Sequence, residues 1–420
     1  MRVAVVGSGG REHAIVKKIA ENKRVTELYA LCGNGGMTEA VCVDIKPTDT
    51  DGIVKFATEK KLDYVVVAPD DPLAMGLTDR LREAGIASFG PSKAAAEIES
   101  SKVFAKNLMK KYGIPTARYE VFSDIEKALD FVKTAPLPLV VKADGLALGK
   151  GVIIANTRGE ATDAVNKIMR DKAFGKSGDE VVIEEFLTGP EVSVLAFTDG
   201  KTVVPMVSSM DHKRIGDGDT GLNTGGMGTI APNPYYTPAV ADECMKRIFL
   251  PTIAAMNAEG RTFCGCLYFG LMLTPSGAKV IEYNCRFGDP ETQVVLPLLK
   301  TDLLTVMQAV SEGRLGEIEV GFSDESAACV IMASGGYPEA YEKGKEIDVP
   351  SDVLPRVYFA GAAEKNGKLY TNGGRVLGVT NVAPTLGEAI ERSYADVERI
   401  KFEGAYYRTD IGAKAMKAKE

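Results

Sequence analysis

The stretch Ile281-Glu282-Tyr283-Asn284-Cys285-Arg286-Phe287-Gly288-Asp289-Pro290-Glu291-Thr292-Gln293 decides how the rest of this chain is read. It opens as a strand. Lys279 to Asn284 alternate in polarity, and strand side chains point to opposite faces with a period of two. Glu282 and Asn284 therefore share one face, and Ile281, Tyr283 and Cys285 share the other. A carboxylate beside an amide oxygen is a hard donor pair, suited to a cation such as Mg²⁺. Gly288 and Pro290 then stop the strand in a turn that carries Arg286, Asp289 and Glu291. An arginine in that position can fork onto a carboxylate or phosphate. Any one of these residues would pass for an ordinary charged strand end. The whole string sets metal ligands directly before an anion binder.

Upstream, six of the thirteen residues from 216 to 228 are glycine, ending in Asn223-Thr224-Gly225-Gly226-Met227-Gly228. A loop that costly in backbone entropy is expected to be functional. Asp211-His212-Lys213-Arg214 precedes it, and no serine or cysteine stands in a context that would make His212 part of a hydrolytic triad. Strands are expected at 192–198, 202–207 and 266–273, with a helix over 238–259.

Earlier still, the strands Leu139–Ala143 and Val152–Ala155 enclose Asp144-Gly145-Leu146-Ala147-Leu148-Gly149-Lys150-Gly151. Two strands joined by a glycine loop make a flap whose backbone amides can close over phosphates, with Lys142 and Lys150 supplying charge. The loop runs into a strand and lacks the GKS/T ending, so it is not a P-loop. A helix over 160–171 leads to a strand at 180–184, and Glu184-Glu185-Phe186-Leu187 leaves that strand as a hinge whose backbone can meet an adenine edge. Glu191 follows, placed for ribose hydroxyls.

The first 118 residues alternate strands and helices, with apolar strands at 3–6, 29–31 and 64–68. That pattern predicts a parallel sheet covered on both faces, with ligands beyond the carboxyl ends of its strands. Three turns fall there: Gly7 to Glu12, Gly33-Asn34-Gly35-Gly36, and Pro69-Asp70-Asp71. The first is not a dinucleotide fingerprint, because its third glycine would fall at Glu12 and no acid follows the second strand. A glycine turn at a helix start with Arg11 beside it suits a single phosphate. The last hundred residues carry strands at 327–333 and 357–362, the turn Asn372-Gly373-Gly374-Arg375, and a helix over 385–400. Arg375 either reaches a substrate phosphate or lies on the surface.

The totals fit this picture. A chain of 420 residues exceeds one ordinary core. A formal charge of −7 argues against a nucleic-acid surface and for small-molecule work. Seven scattered cysteines are expected to be reduced thiols in the cytoplasm. Neither a signal peptide nor a membrane span is expected.

Taken in order, GSGGREHA, KADGLALGKGV, EEFLTGPEVS, DHKR, NTGGMG, IEYNCRFGDPETQ and TNGGRVLGV resemble the phosphoribosylamine–glycine ligase (glycinamide ribonucleotide synthetase) family of ATP-grasp enzymes. The resemblance covers nearly the whole chain. It implies an α/β fold with an N-terminal doubly wound parallel-sheet domain over 1–118, an ATP-grasp lid with the flap over 119–188, an ATP-grasp catalytic domain over 189–323 and a small C-terminal α+β domain over 324–420. It implies ligation of glycine to 5-phosphoribosylamine through glycyl phosphate, using ATP and Mg²⁺ or Mn²⁺, in purine biosynthesis. It also implies a monomer. Lys102, Lys142, Gly145, Gly149, Lys150, Gly151, Glu184, Glu185, Phe186, Leu187 and Glu191 would bind ATP. Glu282 and Asn284 would hold the metal, and Arg286, Asp211, Lys213 and Asp289 would line the reacting centre. Gly9, Gly10, Arg11, Asn34, Gly35, Pro69, Asp70, Gly225, Gly226 and Arg375 would bind substrate.

The chain departs from the family pattern at Asp70, where glutamate is usual, and at Cys32, Leu148, Met210 and Leu222. Other ATP-grasp ligases or a biotin-dependent carboxylase are the enzyme alternatives, and an ATP-sensing module is the alternative outside catalysis. A sensor would be expected to lose Arg286 or the Glu282–Asn284 pair, and both are present.

Overall fold

The computed structural model describes residues 1–146 and 151–418. The strands Arg2–Gly7, Glu27–Cys32, Val41–Val43, Tyr64–Val67 and Ala87–Phe89 form a parallel sheet in the spatial order third, second, first, fourth, fifth. Val3, Val5, Val6, Val65 and Val66 are fully buried. Helices cover both faces, so the central strands are continuously apolar. The edge strand Val41–Val43 is largely exposed and was not expected from the sequence, since three residues carry too little pattern to read. The three turns singled out above stand at the carboxyl ends of the first, second and fourth strands.

The segment from Tyr119 to Glu185 builds its own antiparallel sheet. Its strands are Tyr119–Phe122, Val181–Glu185, Leu139–Ala143 and Val152–Ala155 in spatial order, with a core that includes Ala128, Val132, Val165 and Ile168. The helix expected at 160–171 begins earlier, at Arg158, and finishes as a π-helical turn over Asn166–Arg170. Gly145 and Gly151 flank the flap tip; the expected site residues Gly149 and Lys150 lie outside the described residues.

A four-stranded antiparallel sheet follows, ordered Val203–Pro205, Glu191–Thr198, Gly265–Thr274, Gly277–Asn284. In its last pairing Gly270 faces Glu282 while Leu271 faces Val280. Ile281 is therefore the extra residue of a β-bulge, which bends the strand just before Glu282.

The final sheet joins Met210–Asp211, Gly228–Ala231, Ser326–Ser334, Arg375–Ala383 and Val357–Phe359. Met210–Asp211 pairs with Gly228–Ala231, which in turn pairs with Ser326–Ser334 of the last hundred residues, so residues 211 and 228 are carried into that sheet. The glycine loop, expected to be irregular, contains the hairpin Arg214–Gly216/Thr220–Asn223. Its anchor is remote in sequence. Arg408, 1% exposed, donates to Arg214 O at 3.0 Å and to Asp219 Oδ1 at 2.9 Å. Charge-assisted bonds of this kind offset the backbone entropy that the glycines bring.

Candidate active site

Four elements meet over the edge strand Gly277–Asn284. From the lid sheet, Lys142 Nζ donates to Ile281 O at 3.2 Å and lies 2.8 Å from Glu184 Oε1. The bulge turns the Ile281 carbonyl out of the ladder and makes it available. Glu184 Oε2 lies 2.9 Å from Lys106 Nζ, and all three side chains are nearly fully buried. Glu184, expected at the nucleotide, thus has a lysine beside each of its oxygens. Lys102 starts the helix Lys102–Tyr112 and donates to Gly145 O at 2.7 Å, at the root of the flap. Burial lowers its ammonium pKa. Around the hinge, Glu185 pairs with Arg118 at 2.8 Å and Lys279 at 3.3 Å, and Phe186 is exposed. Leu187 is half-buried and Glu191 exposed; Glu191 Oε2 lies 3.3 Å from Lys213 Nζ.

Glu282 projects into this basic surround. Burial alone would raise its pKa, but Lys213, Lys142, Lys102 and Arg286 outweigh it and pull the carboxyl below its usual range. Gly270 makes the room: a Cβ there would lie 2.9 Å from Glu282 Cγ. Asn284 Oδ1 accepts from Arg286 Nη2 at 3.2 Å. An ionised carboxylate and an amide oxygen on one strand fit a hard divalent cation. No group of three or more histidine, cysteine, aspartate or glutamate side chains is placed to hold a metal among the described residues. The pair therefore suits a cation that takes its other ligands from nucleotide oxygens and water.

Arg286 is aimed from the N-terminal region. Its Nη2 lies 3.1 Å from Glu99 Oε1, and Glu99 Oε2 accepts from Cys285 N at 2.7 Å. Arg286 Nε is buried and makes no hydrogen bond. Asp70, at the N-terminus of a short helix capped by Pro69, adds its field to that of Glu99 at the guanidinium. Across the strand end, Asp289 accepts from Gln293 Nε2 at 2.9 Å and from Arg11 N at 3.3 Å, and its Oδ1 lies 3.3 Å from Arg375 Nη2. Arg375 also donates to Gly225 O at 2.8 Å and to Asp289 O at 3.1 Å. Its side chain is 20% exposed, so it is enclosed between the glycine loop and the opening stretch.

Asp211 completes the group. Its Oδ1 is buried without a hydrogen-bond partner. Burial, reinforced by the Glu291 carboxylate, pushes its pKa well above the usual carboxylate range. Gly226 (φ +114°) passes so close that a Cβ would lie 2.6 Å from Asp211 Oδ1.

Several expected substrate contacts have internal partners. Asn34 Nδ2 donates to Ser8 O at 2.8 Å and to Phe359 O at 2.9 Å. Gly35 N donates to Ala362 O at 3.0 Å, and Gly9 N to Glu12 Oε2 at 2.6 Å. Gly10 opens the first helix, and a Cβ on it would meet Gln293 Nε2 at 2.5 Å. The anion at that helix start is Asp289 itself. His212 is buried between Gly228 O and Gly412 N. Glu99 and Lys106 were not singled out in the sequence. Glu99 sits in a helix of ordinary composition and Lys106 among other lysines, so neither carries a local signal.

Family comparison matches three successive segments of the chain. Residues 1–99 match the phosphoribosylglycinamide synthetase N domain, 100–292 its ATP-grasp (A) domain and 327–414 its C domain. A phosphoribosylamine–glycine ligase of Fusobacterium nucleatum is 46% identical over 418 residues, covering 98% of each chain. One of Caldanaerobacter subterraneus is 47% identical over 415 residues, covering 98% of this chain and all of that protein. Among solved structures, the phosphoribosylamine–glycine ligase of Thermotoga maritima superposes with a TM-score of 0.88 at 38% identity, covering 98% of this chain and 100% of that one. The biotin carboxylase domain of a Hydrogenobacter thermophilus 2-oxoglutarate carboxylase shares the fold at a TM-score of 0.73 and 17% identity, covering 100% of this chain and 94% of that one. ATP-grasp enzymes use ATP with a divalent metal. The chain belongs to the phosphoribosylglycinamide synthetase family, the phosphoribosylamine–glycine ligases, and is an ATP-dependent ligase of purine biosynthesis.

Proposed function

We propose that the cleft around Glu282 to Asp289 joins glycine to 5-phosphoribosylamine with the following division of labour. Lys102 and Lys142 hold the nucleotide phosphates, with Gly145 and Gly151 at the base of the flap. Glu185 to Leu187 frame the base and Glu191 the ribose. Glu282 and Asn284 hold Mg²⁺ or Mn²⁺, which when bound neutralises phosphate charge. The observation that carries this reading is the placement of the Glu282 carboxylate, 3.8 Å from Lys213 Nζ and facing Lys142, Lys102 and Arg286, beside the Asn284 amide oxygen.

Glycine is a zwitterion, and the two orphaned polar groups match its two ends. Arg286 Nε lacks an acceptor and Asp211 Oδ1 lacks a donor. Arg286 takes the carboxylate and Asp211 the ammonium. One carboxylate oxygen attacks the γ-phosphorus of ATP, and ADP departs. The amine nitrogen of phosphoribosylamine then attacks the acyl carbon of glycyl phosphate, the C–O bond to phosphate breaks, and the amide loses a proton. No protein nucleophile is required, because ATP activates the carboxylate and the amine is already nucleophilic. The chain's contribution is positioning, which can supply about 7–11 kcal/mol, together with exclusion of water from the acyl phosphate. Asp289 and Arg375 brace the glycine loop, and Gly225 and Gly226 let that loop approach. Gly9, Gly10, Arg11, Asn34, Gly35, Pro69 and Asp70, on the turns at the carboxyl ends of the parallel strands, take the ribose phosphate, which must displace the internal bonds of Gly9 N, Asn34 Nδ2 and Gly35 N.

ADP release measured with ATP, Mg²⁺ and glycine, with and without freshly prepared phosphoribosylamine, tests the reading. Stoichiometric amide formation with the amine is expected. ADP release driven equally by bicarbonate and indifferent to the amine would overturn it. The reduced-thiol composition and family resemblance support a cytoplasmic monomer of four parts, 1–118, 119–188, 189–323 and 324–420. Sedimentation equilibrium checks the monomer.

A further inference from the structure

Two lysines share one buried carboxylate beside the cleft, although one would neutralise it. Lys106 Nζ and Lys142 Nζ lie 2.9 and 2.8 Å from the two oxygens of Glu184, and all three side chains are 3–6% exposed. Burying charge is expensive, and a surplus buried cation more so. Burial lowers the Lys106 pKa to about 8, with Glu184 opposing the drop, so the group is still largely protonated at neutral pH. The three side chains together therefore carry a net charge of +1, felt by the Glu282 carboxylate on the cleft side.

The hydrogen bonds show where that charge is directed. Lys106 Nζ donates to Thr116 Oγ1 at 2.8 Å, and Thr116 Oγ1 donates to Val280 O at 2.7 Å. At the other end Lys142 Nζ donates to Ile281 O at 3.2 Å. The network thus runs from Val280 through Thr116, Lys106, Glu184 and Lys142 back to Ile281. It closes on the two residues of the bulge that precedes Glu282. Glu184 Oε1, although 2.8 Å from Lys142 Nζ, receives no well-aligned hydrogen bond. Each lysine meets Glu184 as an ion pair, and the well-aligned hydrogen bonds of Lys106 and Lys142 go instead to Thr116 Oγ1 and Ile281 O.

We infer that Lys106 is a positioning residue for nucleotide binding. By occupying Glu184, it keeps that carboxylate from capturing Lys142 and leaves the Lys142 charge free for a polyphosphate anion. The inference rests on the assignment of Lys142 to the ATP phosphates given above. Without Lys106, Lys142 and Glu184 form a neutral, self-satisfied pair. With both Lys106 and Glu184 neutralised, Lys142 alone restores the single positive charge of the wild-type seam.

The test is a charge cycle read as KM for ATP, KM for glycine and kcat, with thermal unfolding measured on each variant. Lys106→Met is expected to raise KM for ATP about tenfold or more while KM for glycine stays within about threefold. Lys106→Met/Glu184→Gln is expected to return KM for ATP to within about threefold of wild type, even if its melting temperature does not recover. A purely packing role predicts instead that KM follows thermal stability, and a double variant as weak in ATP as the single one would overturn the inference. Should Lys106→Met fail to fold, the double variant alone decides: a KM near wild type supports the inference, and a tenfold loss refutes it. Lys142→Met separates the underlying assignment. If it leaves KM for ATP unchanged, Lys142 is not at the phosphates and the inference falls with it. If it raises KM while the double variant shows no rescue, the assignment stands and only the role of Lys106 fails.

Discussion

Glu99 Oε1 lies 3.1 Å from Arg286 Nη2, while the other oxygen of Glu99 accepts the backbone N–H of Cys285. A single buried carboxylate from the helix Lys93–Ser100 thus fixes both the direction of the arginine and the path of the chain that carries it. Glu99→Gln keeps the size and an acceptor but loses the charge. Its kcat is expected to fall by about 100-fold, the scale of a misplacement of about 1 Å in the reacting geometry. KM for ATP should change little. Steady-state kinetics with glycine and ATP varied separately check this, and an unchanged kcat would show that Arg286 needs no such aim.

Gly270 is expected to govern the metal rather than the fold of its strand. A methyl group there would press on Glu282 Cγ at 2.9 Å. Overpacking of this kind costs about 1–3 kcal/mol. Taken up by Glu282, that strain should raise the Mg²⁺ concentration for half-maximal activity of Gly270→Ala about tenfold. Titration of activity against Mg²⁺ at saturating ATP measures it. Wild-type apoprotein should bind Mg²⁺ weakly in calorimetry, because Glu282 and Asn284 are the two protein ligands proposed for it.

Asp211 makes the stability of the ligand-free protein depend on pH. Burial and Glu291 raise its folded pKa above the ordinary aspartate value. The folded state therefore holds this proton more tightly than the unfolded chain. Its contribution is fully present below about pH 3.9, the usual aspartate pKa, and is lost as pH rises towards the folded pKa. Asp211→Asn should flatten this slope and stabilise the apoprotein at pH 7 by about 1–3 kcal/mol, the cost of a buried unpaired group, while abolishing turnover. Urea unfolding across pH 4–8 is the measurement. A variant no more stable than wild type would show that Asp211 is satisfied without ligand.

Arg408 behaves in the opposite sense. Burial works against ionisation of Asp219 and Asp410, but bonds to Lys414 and Arg408 hold Asp219 below the usual range, and Arg408 and the Gly218 amide do so for Asp410. Their contribution is present above about pH 3.9, the unfolded aspartate pKa, and disappears as pH falls through the depressed folded values. Arg408→Met should cost about 3 kcal/mol, at the low end for a broken buried pair because both aspartates stay partly solvated. It should also raise the midpoint of acid unfolding. Limited proteolysis should then cut between 216 and 222, where the hairpin loses its tether.

Local pattern was enough to read the parallel sheet, the two flap strands and the pairing of Glu282 with Asn284. Each of these depends on neighbours within a few residues: an apolar run, a glycine turn, a period of two. The same logic could not anticipate the bulge at Ile281, because an extra residue shows only against the partner strand. Nor could it find the hairpin inside the glycine loop, whose stability comes from Arg408 and Thr409 at the far end of the chain.

The sequence by itself determined which chemistry was on offer: hard oxygen donors, lysines beside a glycine flap, an arginine after a turn, and the family these motifs spell. Only the tertiary structure decided how those groups are charged and aimed. Glu99 directs Arg286, Lys106 and Lys142 divide Glu184, and Asp289 stands at the start of the first helix. Each of these joins residues on different elements. Their protonation and direction follow from burial and from charges brought within a few ångströms by packing, quantities that no spacing along the chain records.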